Sequence, residues 1–376
     1  MTTPPPDVAT KMTTTVTDLV DLRARLTAWL SAKTGGPAEI AELSRPGASG
    51  MSSITILFDA TWTEDGVQVH ADLVARLPPD TTAFPVFPSY DLRRQYDVIA
   101  AVAANSDAPV PRLYWIEESP DALGGPFIVM GRINGEIPTD NPPYVFGGWL
   151  LDATSQEQTR LQDTSLQMLA KLHAIKNVDE LFPSLAAEAG ADPLRSMIDG
   201  QRAYYDWTRR EDGLRIPIIE ETFDWLEANW PQEPGETVLS WGDSRPGNMI
   251  YEDFAPVAVL DWEMAALGPR EVDVAWMIFL HRFFQDLAEV FEMPGIPFFR
   301  RDDVVRVYEA ASGHAIRDLD WYIVYAGLRY AIVMSRIKRR MMHFGEDTEP
   351  ATLDEYVMFH AMQRGIIEGT YDWTDK

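Results

Sequence analysis

Two carboxylates and an amide, set close together along the chain, are the groups best suited to chemistry: Asp243 and Asn248 in Trp241-Gly-Asp-Ser-Arg-Pro-Gly-Asn-Met-Ile-Tyr251, and Asp261 in Val257-Ala-Val-Leu-Asp-Trp-Glu263. An aspartate can accept the proton of an attacking hydroxyl. An amide oxygen and a second carboxylate make an all-oxygen set suited to magnesium, a cation that keeps company with phosphates. The order Asp, Asn, Asp is the layout of a kinase catalytic loop, where the first residue takes the hydroxyl proton and the other two hold the metal. Pro246 and Gly247 can turn the chain tightly enough for Asp243 and Asn248 to face one pocket, and the strand that returns after the next turn delivers Asp261. Taken alone, the spacing also fits an Asx-type turn with Asp261 capping the next element.

These residues need elements to hold them. Residues 18–33 carry apolar side chains at Leu19, Leu22, Leu26, Trp29 and Leu30, a helical period that stops at Gly35-Gly36. Residues 53–58 and 67–76 are β-rich with Glu64-Asp65-Gly66 between them, which predicts a hairpin. Residues 90–104 return to helical spacing, and short strands are expected at 112–116 and 126–130. The first lobe therefore reads as an antiparallel sheet with a helix packed on it, ending at Gly131-Arg-Ile-Asn-Gly135. From Thr154 onward helical patterning dominates, with strands returning only between Val238 and Asp261. The expectation is an α+β, bilobed protein-kinase-like fold: residues 1–17 a disordered tail, 18–131 a nucleotide-binding lobe, and 132–376 a largely helical lobe with the catalytic loop and acceptor site.

Composition narrows the function. A formal charge of −26 disfavours nucleic acid, whose phosphates are bound by surplus Lys and Arg. Acidity fits a cationic substrate, and it also serves plain solubility. With no cysteine, thiolate zinc sites, disulfides and cysteine nucleophiles are excluded. The opening Met-Thr-Thr-Pro-Pro-Pro lacks the layout of a signal peptide, and the apolar stretch at 321–334 is broken by Gly327 and Arg329, so a cytoplasmic protein without a membrane span is expected.

With Gly242-Asp243 and Asn248, then Asp261-x-Glu263, then Gly268-Pro269-Arg-Glu-Val-Asp273, the chain resembles the aminoglycoside phosphotransferase-like family, and it is similar along its length to mycobacterial members. The resemblance implies a small-molecule kinase that uses ATP and Mg2+ to phosphorylate a substrate hydroxyl. Asp243 would be the base, and Asn248 and Asp261 the metal ligands. Glu263 would assist at the metal or support the backbone. Asp273 would brace the loop, although a carboxylate at a helix start is also favoured by the helix dipole.

For the nucleotide, the Gly/Ser-rich stretch ending in Gly50, Met51, Ser52 and Ser53 resembles the loop that covers the triphosphate. Arg76 closes a strand where kinases keep a phosphate-pairing lysine, and arginine can grip phosphate bidentately. Met130, Gly131 and Ile133 resemble the adenine-binding hinge. Two positions depart from the pattern. Gln95 stands where a glutamate would hold the cation, with Asp97 as a conceivable substitute, and Trp241 replaces a histidine with a side chain that cannot accept a hydrogen bond.

The acceptor is less legible. Arg329, Arg336 and Arg340 share a helix face and suit either an anionic substrate or a solvated surface. Tyr144 and Trp149 would line the acceptor site or fill core, and His173 reads as structural. The substrate readings are an aminoglycoside or a hydroxyacyl-CoA, with a catalytically silent nucleotide-binding module as the alternative of a different class.

Overall fold

The computed structural model describes residues 19–46, 53–79 and 84–374. The expected tail and the expected phosphate-loop residues Gly50, Met51 and Ser52 lie outside them. Two compact units are present: one takes the described residues up to Ala100 together with Val110–Asn134, the other Ala101–Pro109 together with Gly135 onward.

The first unit is built on a five-stranded antiparallel sheet, ordered β1-β2-β3-β5-β4, from β1 (Glu39–Ile40), β2 (Ile54–Glu64), β3 (Val67–Leu77), β4 (Leu113–Glu117) and β5 (Phe127–Gly131). Strand side chains alternate between faces, so Ile56, Phe58, Ala60 and Trp62 of β2 and Leu73, Ala75 and Leu77 of β3 share one side. They bury there against Leu22, Leu26, Trp29 and Leu30 of α1 (Leu19–Thr34). On the other side Val74, Ile128 and Met130 meet Leu92 and Tyr96 of α2 (Leu92–Asn105). Both faces are thus covered, where the sequence reading placed one helix on the sheet and the other only against the lobe. The α1 stripe needs an apolar partner, and the inward row of β2 and β3 supplies it. Two left-handed residues, Asp65 (φ 50°) and Gly66 (φ 79°), close the hairpin, the backbone that matches the strands' own twist.

The second unit is mainly helical: α3 (Trp149–Asp152), α4 (Ser155–His173), α5 (Val178–Leu181), α6 (Pro183–Ala189), α7 (Pro193–Thr208) and α8 (Pro217–Ala228) precede a strand-rich segment. That segment holds β6 (Thr237–Ser240), β7 (Met249–Glu252), β8 (Ala255–Val259) and β9 (Ala266–Pro269), paired antiparallel as β6 with β9 and β7 with β8. Four helices come after it: α9 (Glu271–Val290), α10 (Arg301–Ser312), α11 (Leu319–His343) and α12 (His360–Glu368).

Local chemistry sets the boundaries. Thr154 caps α4 through a reciprocal box with Glu157, and Gly313, at φ 73°, ends α10. α9 buries residues all round its first half, from Val272 through Leu280, as a core helix does, and packs on α11. Among the described residues no helix is long and apolar enough to cross a membrane.

Candidate active site

β6 pairs antiparallel with β9, Thr237 opposite Pro269 and Ser240 opposite Ala266, and α9, which follows β9, runs back past the loop after β6. That juxtaposition puts Asp273 under the loop. Its Oδ1 accepts from the Ser240 hydroxyl and the Gly242 amide, both at 2.9 Å. Its Oδ2 accepts from the Trp241 amide at 2.7 Å and from His173 Nε2 at 3.0 Å, and Tyr308 meets the other nitrogen of His173 at 2.7 Å. Burial pushes the Asp273 carboxyl up, but the His173 contact and the two amides outweigh it and hold the group below the usual carboxylate range. The Ser244 hydroxyl donates to the Asp273 carbonyl at 2.8 Å, so side chain and backbone of one residue grip both ends of the turn.

Gly242, at φ 91°, then aims Asp243. Asp243 Oδ1 accepts from Arg245 Nε at 2.9 Å and from the Trp276 indole at 2.8 Å; Oδ2 accepts from Asn248 Nδ2 at 2.7 Å. Each carboxylate oxygen has two lone-pair sites. Oδ1 is filled, and Oδ2 keeps one for a further donor. Arg245 also forms an ion pair with Asp140. Burial alone would lower the guanidinium, but Asp140 and Asp243 prevail and hold it well above its ordinary value.

Asn248 closes a 3-10 turn begun by Pro246. Because its amide nitrogen is committed to Asp243, its side-chain oxygen is the atom left for a cation. The Asn248 carbonyl accepts from the Leu260 amide at 2.9 Å, which brings Asp261, in left-handed backbone at φ 57°, to the same turn. Asp243, Asn248 and Asp261 are therefore joined by direct or adjacent hydrogen bonds. Glu263 is half-buried in the bend between β8 and β9.

Trp241 has a place that its sequence did not disclose. The ring is fully buried, and its indole donates to the Leu260 carbonyl at 2.9 Å, just before Asp261. A donor at this position ties the Asp243 loop to the segment that carries Asp261.

The remaining candidates belong to the sheet unit or to the core. Arg76 is half-buried near the end of β3, opposite Thr55 and Ile128, and Ser53 directly precedes β2. Met130 is buried against α2, the Gly131 amide donates to the Arg112 carbonyl at 2.8 Å and the Arg132 amide to the Asp72 carbonyl at 2.9 Å, with Ile133 next along the chain. Gln95 is buried, whereas Asp97 is exposed and ion-paired with Arg93 at 3.2 Å, so Asp97 does not take over from Gln95. Two residues further round a helix is the opposite face.

The solvated-face reading of the α11 arginines is overturned. Arg329, Arg336 and Arg340 are 4%, 0% and 8% exposed. They are sheltered by ring faces: Arg336 lies over Trp207 at 4.5 Å and Arg340 over Phe344 at 4.9 Å. Arg329 belongs to the site, donating to the Gly242 carbonyl at 2.9 Å. The signals missed in the sequence were Arg245, two residues beyond Asp243, and Trp276, one helical turn beyond Asp273.

Tyr144 is buried, its hydroxyl 2.8 Å from His281 Nδ1, and Trp149 packs beside Phe254 at 5.7 Å. A cavity of about 510 Å3 lies along the second half of α9, lined by Ile278, Arg282, Gln285 and Trp373 among others.

Comparison with known proteins agrees with this architecture. Residues 56–301 match the model of the phosphotransferase enzyme family, and the chain belongs to that family. Acyl-CoA dehydrogenase family member 10 of Mus musculus is 26% identical over 285 residues, covering 72% of this chain and 24% of that protein. Family member 11 of Gallus gallus is 28% identical over 199 residues, covering 51% of this chain and 23% of that protein. The chain thus spans about a quarter of the length of these relatives. Among solved structures, a protein from Ralstonia eutropha provisionally assigned as an aminoglycoside phosphotransferase superposes with a TM-score of 0.64 at 21% identity, covering 92% of this chain and 97% of the other. ADP-bound aminoglycoside phosphotransferase APH(2'')-Ib gives 0.55 at 14% identity, covering 93% and 99%. At these identities the likeness is one of fold.

Proposed function

We propose that the protein is an ATP- and magnesium-dependent phosphotransferase whose acceptor is a hydroxyl group on a small molecule. The observation that carries this reading is the state of Asp243: three donors fix the carboxylate, and one lone pair of Oδ2 is left for a hydroxyl hydrogen. In the reaction, the acceptor oxygen forms a bond to the γ-phosphorus, the bond from that phosphorus to the β–γ bridging oxygen breaks, and ADP leaves. The hydroxyl proton passes to Asp243 Oδ2.

Catalysis of this kind rests mainly on positioning and charge stabilisation. Asp273 holds the loop and Arg245 and Trp276 keep Asp243 from rotating. The side-chain oxygen of Asn248 and the carboxylate of Asp261 are the donors that suit magnesium, with Glu263 in support; among the described residues no trio of His, Cys, Asp or Glu forms a cage of its own. Magnesium bound by one or two protein oxygens together with phosphates fits that donor set. When bound, it would neutralise phosphate charge. Arg76 and the Ser52–Ser53 segment are assigned to the phosphates, and Met130, Gly131 and Ile133 to the base.

For the acceptor, a hydroxyacyl-CoA is favoured over an aminoglycoside. The relatives are named for acyl-CoA chemistry. Beside Asp243 stand Arg245, Trp276 and Arg329, and the carboxylate of Asp140 is already neutralised by Arg245, a poor setting for a polycation.

The test is incubation of the purified chain with magnesium-ATP and panels of hydroxyacyl-CoAs, aminoglycosides and other alcohols, with phosphorylated product read by mass spectrometry. Asp243→Asn should lower turnover about 10²–10⁴-fold with little change in nucleotide affinity. Nucleotide binding without phosphotransfer to any acceptor would select a silent module instead. Product from aminoglycosides alone would reverse the acceptor assignment.

A further inference from the structure

We propose that Arg329 is a positioning residue for Asp243, acting through the Gly242 carbonyl and the Trp276 indole; the proposal rests on the reading of Asp243 as the base.

Three contacts converge. Arg329 Nη2 donates to the Gly242 carbonyl at 2.9 Å, and the guanidinium lies 4.4 Å from the centroid of the Trp276 ring. Trp276 in turn donates to Asp243 Oδ1 at 2.8 Å. Gly242 is thus held at both polar ends by opposite charges from two helices, its amide by Asp273 of α9 and its carbonyl by Arg329 of α11. The next peptide unit leads straight into Asp243.

Arg329 is costly where it stands. The residue is 4% exposed, and among the described residues its Nη1 has no hydrogen-bond partner. A carbonyl and the ring faces of Trp276 and Tyr325, the latter 5.8 Å away, shelter the charge without neutralising it. Core residues of similar volume would serve packing at lower cost. A cation does two things that they cannot. It satisfies the Gly242 carbonyl, and it fixes the indole plane by attraction to the ring face, which aims the indole hydrogen at the carboxylate. The consequence is an Asp243 with Oδ1 pinned and Oδ2 presented.

The experiment uses the full chain with 15N-labelled tryptophan, the Trp276 indole resonance being assigned by its loss in Trp276→Phe. In Arg329→Met, kcat should fall about 10²-fold, the effect of a small misplacement of a reacting group, while KM for the nucleotide stays within about twofold, as expected when binding is untouched. The Trp276 indole proton should move upfield as its bond to Asp243 weakens. Arg329→Lys keeps the charge without the planar fork and should recover part of both effects. A folded Arg329→Met with wild-type kcat and an unmoved Trp276 resonance overturns the proposal. If Arg329→Met does not fold, Arg329→Lys decides by the same two readouts. If wild-type protein phosphorylates nothing while the Trp276 resonance still moves in the variants, positioning stands and the assignment of Asp243 as a base falls.

Discussion

The tip of the β2–β3 hairpin and the loop after β6 use the same backbone device for opposite ends. Each depends on a glycine in left-handed backbone, Gly66 at φ 79° and Gly242 at φ 91°. Around Gly66 nothing lies within 4 Å of where a Cβ would stand, whereas at Gly242 that atom would fall on the Met264 carbonyl. The hairpin turn is held by its own two residues and the strands they join. The Asp243 loop is held from outside, by Asp273 and Arg329 directly and by His173 through Asp273. A turn that only reverses direction can be open, whereas a turn that must present a carboxylate is enclosed.

The sharpest way to break this contrast is to make one substitution in both places. Gly242→Ala should cost more than about 4 kcal/mol, because the Met264 carbonyl is backbone that cannot yield and the strain adds to the overlap. Urea unfolding would measure it, and a loss near that of an ordinary surface glycine would mean that the loop is not enclosed as described. Next in size, Asp273→Ala leaves the Ser240 hydroxyl, two backbone amides and His173 without their acceptor, a loss of about 3–5 kcal/mol. The same denaturation series reads it, and a loss below about 1 kcal/mol, the worth of a single ordinary hydrogen bond, would show that the carboxylate is not the brace.

The contrast also explains what the sequence disclosed. Asp65-Gly66 flanked by alternating apolar residues identifies a hairpin because all the causes lie within a few positions. Asp243, Asn248 and Asp261 were legible by spacing, since a tight turn and a returning strand bring them together locally. Arg329 was not. It lies 87 positions from Gly242, and its neighbours Arg336 and Arg340 made the face look solvated. Arginine marks a surface until aromatic residues such as Trp207 and Trp276 are known to cover it, and those come from α7 and α9. Trp241 was half legible: its type showed a side chain that cannot accept a hydrogen bond, while the partner of its donor, the Leu260 carbonyl, lies 19 positions away.

A smaller effect depends on pH. His281 is enclosed in the helical unit, and burial, aided by Arg282, lowers it from 6.5 to about 3. Between those values the unfolded chain takes up a proton that the native state refuses. Stability should therefore be complete above pH 6.5 and fall as pH drops toward 3, by about 1.4 kcal/mol per pH unit for that proton. Asp273, depressed in the native state, adds its own loss only as pH falls below its ordinary 3.8. Unfolding free energies measured from pH 7 to 4 should flatten in His281→Gln, and an unchanged slope would exclude this residue as the cause.

Gly66→Ala should give the smallest change, about 1 kcal/mol, because the left-handed backbone penalises a Cβ that otherwise meets open space. The comparison with Gly242→Ala is informative because the backbone penalty is common to both sites. Whatever Gly242 loses beyond that amount reports the enclosure of the loop by Met264 and the helices behind it, separated from the cost of the dihedral angle alone. Hydrogen exchange of the β2–β3 amides would show whether the loss stays local. Fraying confined to the strand ends near Glu64 and Val67 is expected, since the paired register continues to Ile54 and Leu77 and the face of α1 buries its apolar row. Loss of protection across the whole sheet would mean that the turn, and not that buried row, sets the register.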